Sequence, residues 1–401
     1  MTSSSNGARA GGGAVTTTTA ANHPHDIVEV REPELTAAVR RALRRPHAAV
    51  GPWSAMPVAH PLGQPTTAGL FRFRGLAVDC TGVVPWSLFR KVIQSYRHWP
   101  LIDILPPELR DEAPAGTKWR YEADVYASDL SRVLPAGMRL PRVHRIEDLG
   151  DDRIALWMED VVTLETRWDL PRFRRAARLL GRLDVRLTRA DALPASASRI
   201  PGATTRLWHT GRVAIVLPAL FADATWVHPL VAMAVDRRLR TDLVELAGRL
   251  PAVLDALDRL PHTLAHCDPS PQNLLVPADD PDGFVAIDWF LGGLVAVGYD
   301  LGQLLIGLAH SGELDPDELP AVHEAILTSY TAGLADEGMP VDEDLVRYGF
   351  DAAMVVRCAF TALPLELLDE PHPPTVEQAA EFTRRARLTR YLVDLGLALT
   401  S

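Results

Sequence analysis

A polar loop followed by a short hairpin is the most constraining feature of this 401-residue sequence. The loop His266-Cys-Asp-Pro-Ser-Pro-Gln-Asn273 precedes two apolar segments, Asn273–Val276 and Phe284–Trp289, which flank the turn-forming sequence PADDPDG. Short apolar runs bounded by Pro, Asp and Gly predict two strands joined by a tight turn. A hairpin from Asn273 to Asp288 returns the chain beside its start, so we expect these two oxygen-bearing side chains in one polar site.

The residue pattern of this stretch resembles the catalytic and metal-binding loops of protein-kinase-like phosphotransferases, specifically the aminoglycoside phosphotransferase and choline kinase branch. That branch carries H-x-D-x-x-x-x-N and then a strand ending in I-D-W, which here is Ile287-Asp288-Trp289. The downstream Gly298-Tyr-Asp300-Leu301 resembles its Gly-x-Asp-Leu helix start. The resemblance implies an α+β, two-lobed protein-kinase-like fold with a small, mainly β N-lobe and a larger helical C-lobe.

The resemblance also implies a role for each polar residue of the motif. Asp268 would be the catalytic carboxylate that receives the proton of an acceptor hydroxyl during phosphoryl transfer. Asn273 and Asp288 would hold Mg²⁺, which prefers oxygen ligands. His266 and Asp300 would support the catalytic loop without touching the substrate. A single Asp or Asn in such a place more often caps a turn or ends a loop, but the joint spacing favours the functional interpretation.

Lysine is scarce in this chain and therefore informative. Of the 41 basic residues only Lys91 and Lys118 are lysines, and the rest are arginines. In a strand, the period of two puts Lys91 on the same face as Phe89 and Ile93. An ammonium group in such an apolar neighbourhood needs an anionic partner.

The family resemblance supplies that partner for Lys91. It implies that Lys91 binds the α- and β-phosphates of a nucleotide and pairs with Glu122, which lies on the predicted helix Trp119–Leu130. The alternative interpretation makes Lys91 a solubilising residue of an edge strand and pairs Glu122 with Lys118 in an ordinary i,i+4 contact. In either case we expect Lys118 at the surface.

Two weaker resemblances concern the nucleotide. Ile154–Asp160 resembles the strand and hinge that bind a purine through main-chain groups, so Met158, Glu159 and Asp160 are binding candidates by position. Pro61–Gly69 is expected to cover the phosphates, although it lacks G-x-G-x-x-G. The bulky Phe89 at a base-pocket position leaves the choice between ATP and GTP open, and Cys267 and Gln272 stand where the family often has glycine.

Composition, periodicity and the family resemblance together divide the chain into three regions. Residues 1–25 are expected from their composition to be a disordered tail, and the resemblance implies that residues 26–161 are the nucleotide-binding N-lobe and residues 162–401 a C-lobe with the catalytic loop and substrate-binding helices. The predicted strands of the N-lobe are Gly69–Val78, Trp86–Gln94, Arg142–Ile146 and Arg153–Met158, with a turn at Asp79–Pro85. The predicted helices are Glu34–Arg45, Leu170–Leu187, Asp242–Leu260 with a break at Pro251, Leu319–Ala335, Glu343–Leu363 and Val376–Leu397.

Composition excludes several other classes of protein. Three widely spaced cysteines suggest neither a disulfide framework nor a thiolate metal site, and a cytoplasmic location fits them best. A net charge of −10 without a basic run disfavours nucleic acid as a partner, and no apolar stretch is long enough to span a membrane. Only eleven residues separate Asp288 from Asp300, and A-P-E is missing, which disfavours a protein substrate.

The expected reaction is phosphorylation of a small-molecule hydroxyl by ATP or GTP with Mg²⁺. Residues 301–401 contain 17 acidic residues against 6 arginines. If these acidic side chains lined the substrate cleft, they would attract a polycationic aminoglycoside. The alternative is that they form a solvated surface. The segment Thr188–Pro229, with Trp208 and Trp226, would instead suit apolar acceptors such as macrolides or nucleosides. Amino alcohols are a further possible acceptor class, and phosphorylation of an antibiotic would confer resistance.

Two other functions compete with the kinase interpretation. A nucleotide-binding pseudoenzyme with a regulatory role is the first, although the intact Asp268 and Asp288 argue against it. A metal-dependent phosphohydrolase built on His262, His266 and Asp268 is the second, but it lacks further ligands.

Overall fold

The computed structural model describes residues 30–59, 65–104, 107, 110, 117–368 and 373–399 of the chain. Its strands are β1 (Ala49–Pro57), β2 (Thr67–Asp79), β3 (Gly82–Gln94), β4 (Met138–Arg139), β5 (Val143–Gly150), β6 (Arg153–Glu159), β7 (His262–Ala265), β8 (Leu274–Leu275), β9 (Phe284–Ala286) and β10 (Gly293–Ala296). Its helices are α1 (Glu32–Leu43), α2 (Tyr121–Ala127), α3 (Leu170–Ala190), α4 (Ala203–Trp208), α5 (Ala214–Phe221), α6 (Asp223–Val227), α7 (Pro229–Ala234), α8 (Arg237–Leu257), α9 (Tyr299–Ser311), α10 (Leu319–Asp336), α11 (Glu343–Cys358) and α12 (Val376–Ala398).

The N-terminal part of the fold is an antiparallel sheet with the strand order β1-β2-β3-β6-β5. Because side chains alternate along each strand, the sheet has two apolar faces. One face packs against α1 through a cluster that includes Leu35, Phe73, Leu88 and Trp157. The other face joins the main core of the molecule through residues such as Ile93 and Met158. Lys91 shares this second face, as the period of two predicts.

Strand β1 has no counterpart among the predicted strands. It carries Pro52 and Pro57, and proline is confined to edge strands because it cannot donate to a ladder. The predicted hairpin is present, but its turn is shorter than the predicted segment Asp79–Pro85, since β3 begins at Gly82 and the turn lies at Cys80 and Thr81. Pro85 is tolerated inside β3 because β6 pairs with β3 only from Leu88 onward.

The rest of the chain is mainly helical and contains the larger core. The predicted helices of this part are confirmed to within a few residues at most of their ends, but the predicted break at Pro251 is wrong. Helix α8 begins at Arg237 and runs through Pro251. Its stripe of buried leucines, which includes Leu243, Leu250 and Leu257, compensates for the hydrogen bond that proline removes.

Four short helices and a π-helical turn at His209–Val213 fill the segment between α3 and α8. Two predicted features lie wholly or partly outside the described residues. The tail 1–25 is one of them, and residues 61–64 of the predicted phosphate-covering loop Pro61–Gly69 are the other, while Thr67–Gly69 already belong to β2. Within the described residues, no helix combines the length and the apolar character that a membrane crossing requires.

Helices α3 and α10 approach each other closely at Gly181, which gives a stability prediction. A Cβ atom on Gly181 would collide with the Tyr330 carbonyl oxygen and would lie 3.1 Å from the Leu334 nitrogen. Gly181→Ala should therefore destabilise the fold by about 1–3 kcal/mol, measured by thermal or denaturant unfolding. The matched control is Gly248→Ala in α8, where a Cβ meets nothing within 4 Å and should stabilise by about 0.5–1 kcal/mol. Equal effects of both changes would contradict the close packing.

Candidate active site

The hairpin predicted from the sequence is present and brings its two ends together. Strand β8 pairs with β9, with Leu274 opposite Ala286, and the Ile287 N–H donates to the Asn273 carbonyl at 3.0 Å. Asn273 and Asp288 therefore emerge from the same end of the hairpin. Asp288 itself has a left-handed backbone with φ of 59°, which turns the chain away from the strand.

His266 links the loop that carries Asp268 to this hairpin. Its Nε2–H donates to the Ile287 carbonyl at 2.9 Å, and its Nδ1 accepts the Asp268 N–H at 3.2 Å. The contact with the Asp268 N–H requires a neutral ring, because Nδ1 accepts there, and burial lowers the pKa of His266 to about 4, so the ring is neutral at physiological pH. Because both ring nitrogens are used, His266 is not available as a metal ligand, which argues against the phosphohydrolase interpretation.

Asp300 supports the same loop through its main-chain N–H groups. Its carboxylate accepts the N–H groups of His266 at 3.2 Å and of Cys267 at 2.8 Å, and it is fully buried. Cys267 has a φ of 67°, a left-handed conformation that costs free energy in any residue but glycine. The two hydrogen bonds to Asp300 hold this strained backbone in place, which explains how cysteine is tolerated where the phosphotransferases that the motif resembles often have glycine.

Asp184 and Tyr330 fix the start of the helix that carries Asp300, and the sequence analysis did not identify either. The Tyr330 hydroxyl donates to Asp184 Oδ2 at 2.6 Å and accepts the Gly298 N–H at 3.3 Å. Burial raises the pKa of the Asp184 carboxyl well above its usual range. These buried contacts have a structural role, because Asp184 and Tyr330 act on the site only through Asp300.

Both carboxylate oxygens of Asp268 have partners. Oδ1 accepts from Arg357 Nη2 at 2.6 Å, and Oδ2 accepts from Asn273 Nδ2 at 3.1 Å. Burial raises the pKa of Asp268, while the Arg357 charge and the hydrogen bonds lower it in part. The side chain stays 19% exposed, so it can still meet a molecule from solvent. Arg357 was not identified from the sequence.

Asn273 and Asp288 form a donor set that fits Mg²⁺. Asn273 donates through Nδ2 to the carbonyl and carboxylate of Asp268, which leaves its amide oxygen for a cation. Asp288 contributes a partly exposed carboxylate. No group of three or more His, Cys, Asp or Glu side chains within the described residues could hold a metal ion by itself. The pair therefore suits an ion whose remaining ligands are phosphate oxygens and water, as is usual for Mg²⁺.

Lys91 lies between two carboxylates. Its Nζ is 2.6 Å from Glu122 Oε2 and 3.0 Å from Asp288 Oδ1, and the residue is only 7% exposed. Burial lowers the pKa of Lys91, but the charges of Asp288 and Glu122 outweigh it and raise the pKa above its usual value. Lys91 is thus a buried, permanently charged ammonium at the junction of the sheet and the hairpin.

Lys118 is not the surface residue that the sequence suggested. It is partly buried, with Nζ 5.9 Å from the centre of the Phe290 ring, and burial lowers its pKa. Glu122 pairs with Lys91, so the expected i,i+4 pair between Lys118 and Glu122 is not formed. The helix α2 is also shorter than predicted, and the residues 117–120 before it form a 3₁₀ turn.

The hinge candidates Met158, Glu159 and Asp160 lie at the end of β6, and their side chains are already engaged. Met158 is buried in the core. Glu159 binds Arg139 and Arg142, which hold its pKa at about 2 although burial opposes them. Asp160 binds the side chains of Arg72 and Ser87. Any contact of this segment with a purine base is therefore left to its main-chain groups.

Eight acidic side chains in the described part of residues 301–401 form ion pairs with arginines. Most of these pairs are at least partly exposed, which favours the solvated-surface interpretation over an acidic substrate cleft. The charged group in contact with Asp268 is instead the cationic Arg357. Examples of the acid–arginine pairs are Asp315–Arg387, Glu324–Arg347, Asp336–Arg178, Glu337–Arg182 and Asp394–Arg390.

Similar solved structures include small-molecule kinases of several kinds. The amicoumacin kinase hAmiN, in complex with AMP-PNP, Ca²⁺ and Ami, is 12% identical and covers 91% of this chain and 96% of its own, with a TM-score of 0.51. Choline kinase from Cryptosporidium parvum Iowa II is 13% identical, with coverages of 86% and 88% and a TM-score of 0.47. An aminoglycoside-3'-phosphotransferase of type VIII is 22% identical, with coverages of 80% and 98% and a TM-score of 0.45.

No family model and no curated protein matches the sequence. The likeness to the amicoumacin kinase, which extends over nearly the whole of both chains, is a likeness of fold. It confirms the predicted α+β, two-lobed protein-kinase-like architecture. Other similar structures, whose TM-scores lie below 0.5, are named as aminoglycoside phosphotransferases and as choline and ethanolamine kinases.

Proposed function

We propose that the chain transfers the terminal phosphoryl group of ATP or GTP to a hydroxyl group of a small molecule. The observation that carries this proposal is the convergence of Lys91, from the N-terminal sheet, with Asp268, Asn273 and Asp288 of the loop and hairpin at one partly exposed site. A cation, a carboxylate base and two oxygen ligands are the groups that phosphoryl transfer requires.

Each side chain has a distinct part in the proposed reaction. Asp268 orients the acceptor hydroxyl and takes its proton as the oxygen bonds to the γ-phosphorus and the bond to the bridging oxygen of the β-phosphate breaks. Lys91, held by Glu122, compensates the charge of the α- and β-phosphates. Asn273 and Asp288 would hold Mg²⁺, which would neutralise negative charge on the phosphate oxygens. Main-chain groups near Met158 to Asp160 would contact the base.

The acceptor that we propose is a hydroxylated natural product or an amino alcohol. The neighbours' names support this choice, since they include an amicoumacin kinase, an aminoglycoside phosphotransferase and a choline kinase. The position of Trp208, whose ring lies against Arg357 beside Asp268, favours an acceptor with an apolar or neutral face. Such an activity in the cytoplasm would confer resistance if the acceptor is an antibiotic.

A screen for acceptor-dependent phosphoryl transfer tests the proposal. Labelled ATP and GTP are offered with Mg²⁺ and a panel of aminoglycosides, macrolides, nucleoside antibiotics and amino alcohols, and products are identified by mass. We expect one class to gain a phosphoryl group while nucleoside diphosphate appears. Nucleotide binding without turnover would instead indicate the pseudoenzyme. Release of phosphate from phosphate esters without any nucleotide would indicate the phosphohydrolase.

The two proposed metal ligands should differ in importance. Asp288→Ala should abolish Mg²⁺-dependent nucleotide binding, whereas Asn273→Ala should weaken it and raise the Mg²⁺ concentration needed for turnover, because a carboxylate carries charge and an amide oxygen does not. Calorimetry of nucleotide binding with and without Mg²⁺ measures both effects. If both variants keep the full Mg²⁺ dependence of the unmodified chain, the metal assignment is wrong.

A further inference from the structure

We propose that Arg357 is a positioning residue that holds Asp268 in the orientation needed for proton transfer. This inference rests on the proposed kinase function, because it assigns Arg357 a part in that reaction. Arg357 lies at the C-terminal end of α11, 89 positions after Asp268 in the chain.

Three contacts fix the guanidinium group of Arg357. Nη2 donates to Asp268 Oδ1 at 2.6 Å, and Nη1 donates to the Cys267 carbonyl at 2.7 Å. The face of the guanidinium lies over the Trp208 ring, 4.5 Å from its centre. The residue is 8% exposed. Two hydrogen bonds in one plane and a stacked aromatic ring leave the group little freedom to rotate.

The partners of Arg357 are consecutive residues of the catalytic loop. Cys267 has the left-handed backbone described above, and Asp268 directly follows it. Arg357 therefore binds the Cys267 carbonyl and the Asp268 carboxylate, whereas Asp300 accepts the N–H groups of His266 and Cys267. Because Asn273 holds the second carboxylate oxygen, the plane of the Asp268 carboxylate is fixed from two directions.

Stability alone gives a weak reason for such an arrangement. Removing two opposite charges from water costs nearly as much as their attraction returns, and well-packed apolar residues are often at least as stable. A fixed carboxylate has a catalytic use, however, since displacement of a reacting group by about 1 Å can cost about 10²-fold in rate. Orientation of Asp268 is thus the better explanation of the Arg357 contacts.

The experiment compares two buried arginines of the C-terminal helices. Arg357→Met removes the charge and the hydrogen bonds but keeps an unbranched side chain. Arg385→Met is the matched control, because Arg385 is 6% exposed and bonds the Ala362 carbonyl and His310 rather than the catalytic loop. We expect Arg357→Met to lower kcat by about 10²-fold with an unchanged nucleotide KM. Arg385→Met should lower the melting temperature but keep kcat.

Two further variants keep the inference testable if Arg357→Met does not fold. Arg357→Lys should recover part of the kcat, because one ammonium can reach the carboxylate or the carbonyl but not both. Trp208→Leu, at the half-buried end of α4, should lower kcat by about 2- to 5-fold through loss of the stacked ring. The double variant Asp268→Asn with Arg357→Met should be no slower than Asp268→Asn alone, because Arg357 acts through Asp268.

The outcomes separate this inference from the proposed function. Absence of turnover in the unmodified chain with every acceptor would overturn both. If the unmodified chain turns over, half or more of its kcat in Arg357→Met would overturn the role of Arg357 alone. If Arg357→Met does not fold, an unreduced kcat in both Arg357→Lys and Trp208→Leu would overturn it. Equal losses of kcat in Arg357→Met and Arg385→Met, or a double variant much slower than Asp268→Asn, would also overturn it.

Discussion

Asp268→Asn is expected to lower turnover by about 10²-fold or more, the range for loss of a positioned base. The change removes the ability to accept a proton but keeps the shape of the side chain. The asparagine oxygen can still accept from Arg357 Nη2, but its amide nitrogen then faces the Asn273 Nδ2 donor, and the buried Arg357 charge loses its anionic partner. The melting temperature should therefore fall, and turnover is measured at a temperature where the variant is folded.

Nucleotide affinity should survive the same substitution. Asp268 contacts Arg357 and Asn273, whereas the proposed phosphate and metal contacts belong to Lys91 and Asp288. Calorimetry of nucleotide binding with Mg²⁺ should give nearly the affinity of the unmodified chain. Asp336→Asn is a suitable control, because its exposed pair with Arg178 is worth at most about 1 kcal/mol and lies on α10. More than half of the turnover left in Asp268→Asn would remove Asp268 from the site.

The sequence predicted the loop and hairpin well because they are local. His266, Asp268, Asn273 and Asp288 lie within one short stretch, where turn residues and apolar runs dictate the path of the chain. The sheet face on which Lys91 lies followed from the two-residue period of side chains along a strand. Their chemical roles stay predictions until the variants are measured.

Arg357 could not be placed by such local patterns. Its partners lie 89 and 90 positions away, and only the folded chain brings α11 against the catalytic loop. One signal was present, however. Arg357 interrupts an apolar run from Ala352 to Phe360, and an arginine on a buried helix face needs an anionic partner. That signal predicts a buried ion pair but does not identify the acid.

The segment between α3 and α8 was missed for a different reason. Helix α5 has the sequence AIVLPALF, which is apolar on every side and so has no helical stripe. Pro218 lies inside it, and proline usually argues against a helix interior. Strand β1 was missed likewise, because its two prolines suit only an edge strand. Hydrophobic periodicity does not predict a helix or strand that is short, uniformly apolar or interrupted by proline.

Lys91→Arg should be nearly as damaging to turnover as Lys91→Met, with a loss of about 10²-fold or more, comparable to removal of one preorganised donor in an active site. The Lys91 ammonium fits between two carboxylates at 2.6 and 3.0 Å on a buried strand face. A guanidinium is wider, planar and longer, and it would displace Glu122 or Asp288 rather than reproduce both contacts.

Lys118→Arg is the matched control, since its contact with the Phe290 ring is one that arginine makes equally well. Steady-state kinetics and melting temperatures of the three variants measure the effect. Full turnover in Lys91→Arg with an unchanged melting temperature would mean that the charge at this position matters and the shape of the ammonium does not, which would contradict a phosphate-binding role specific to lysine.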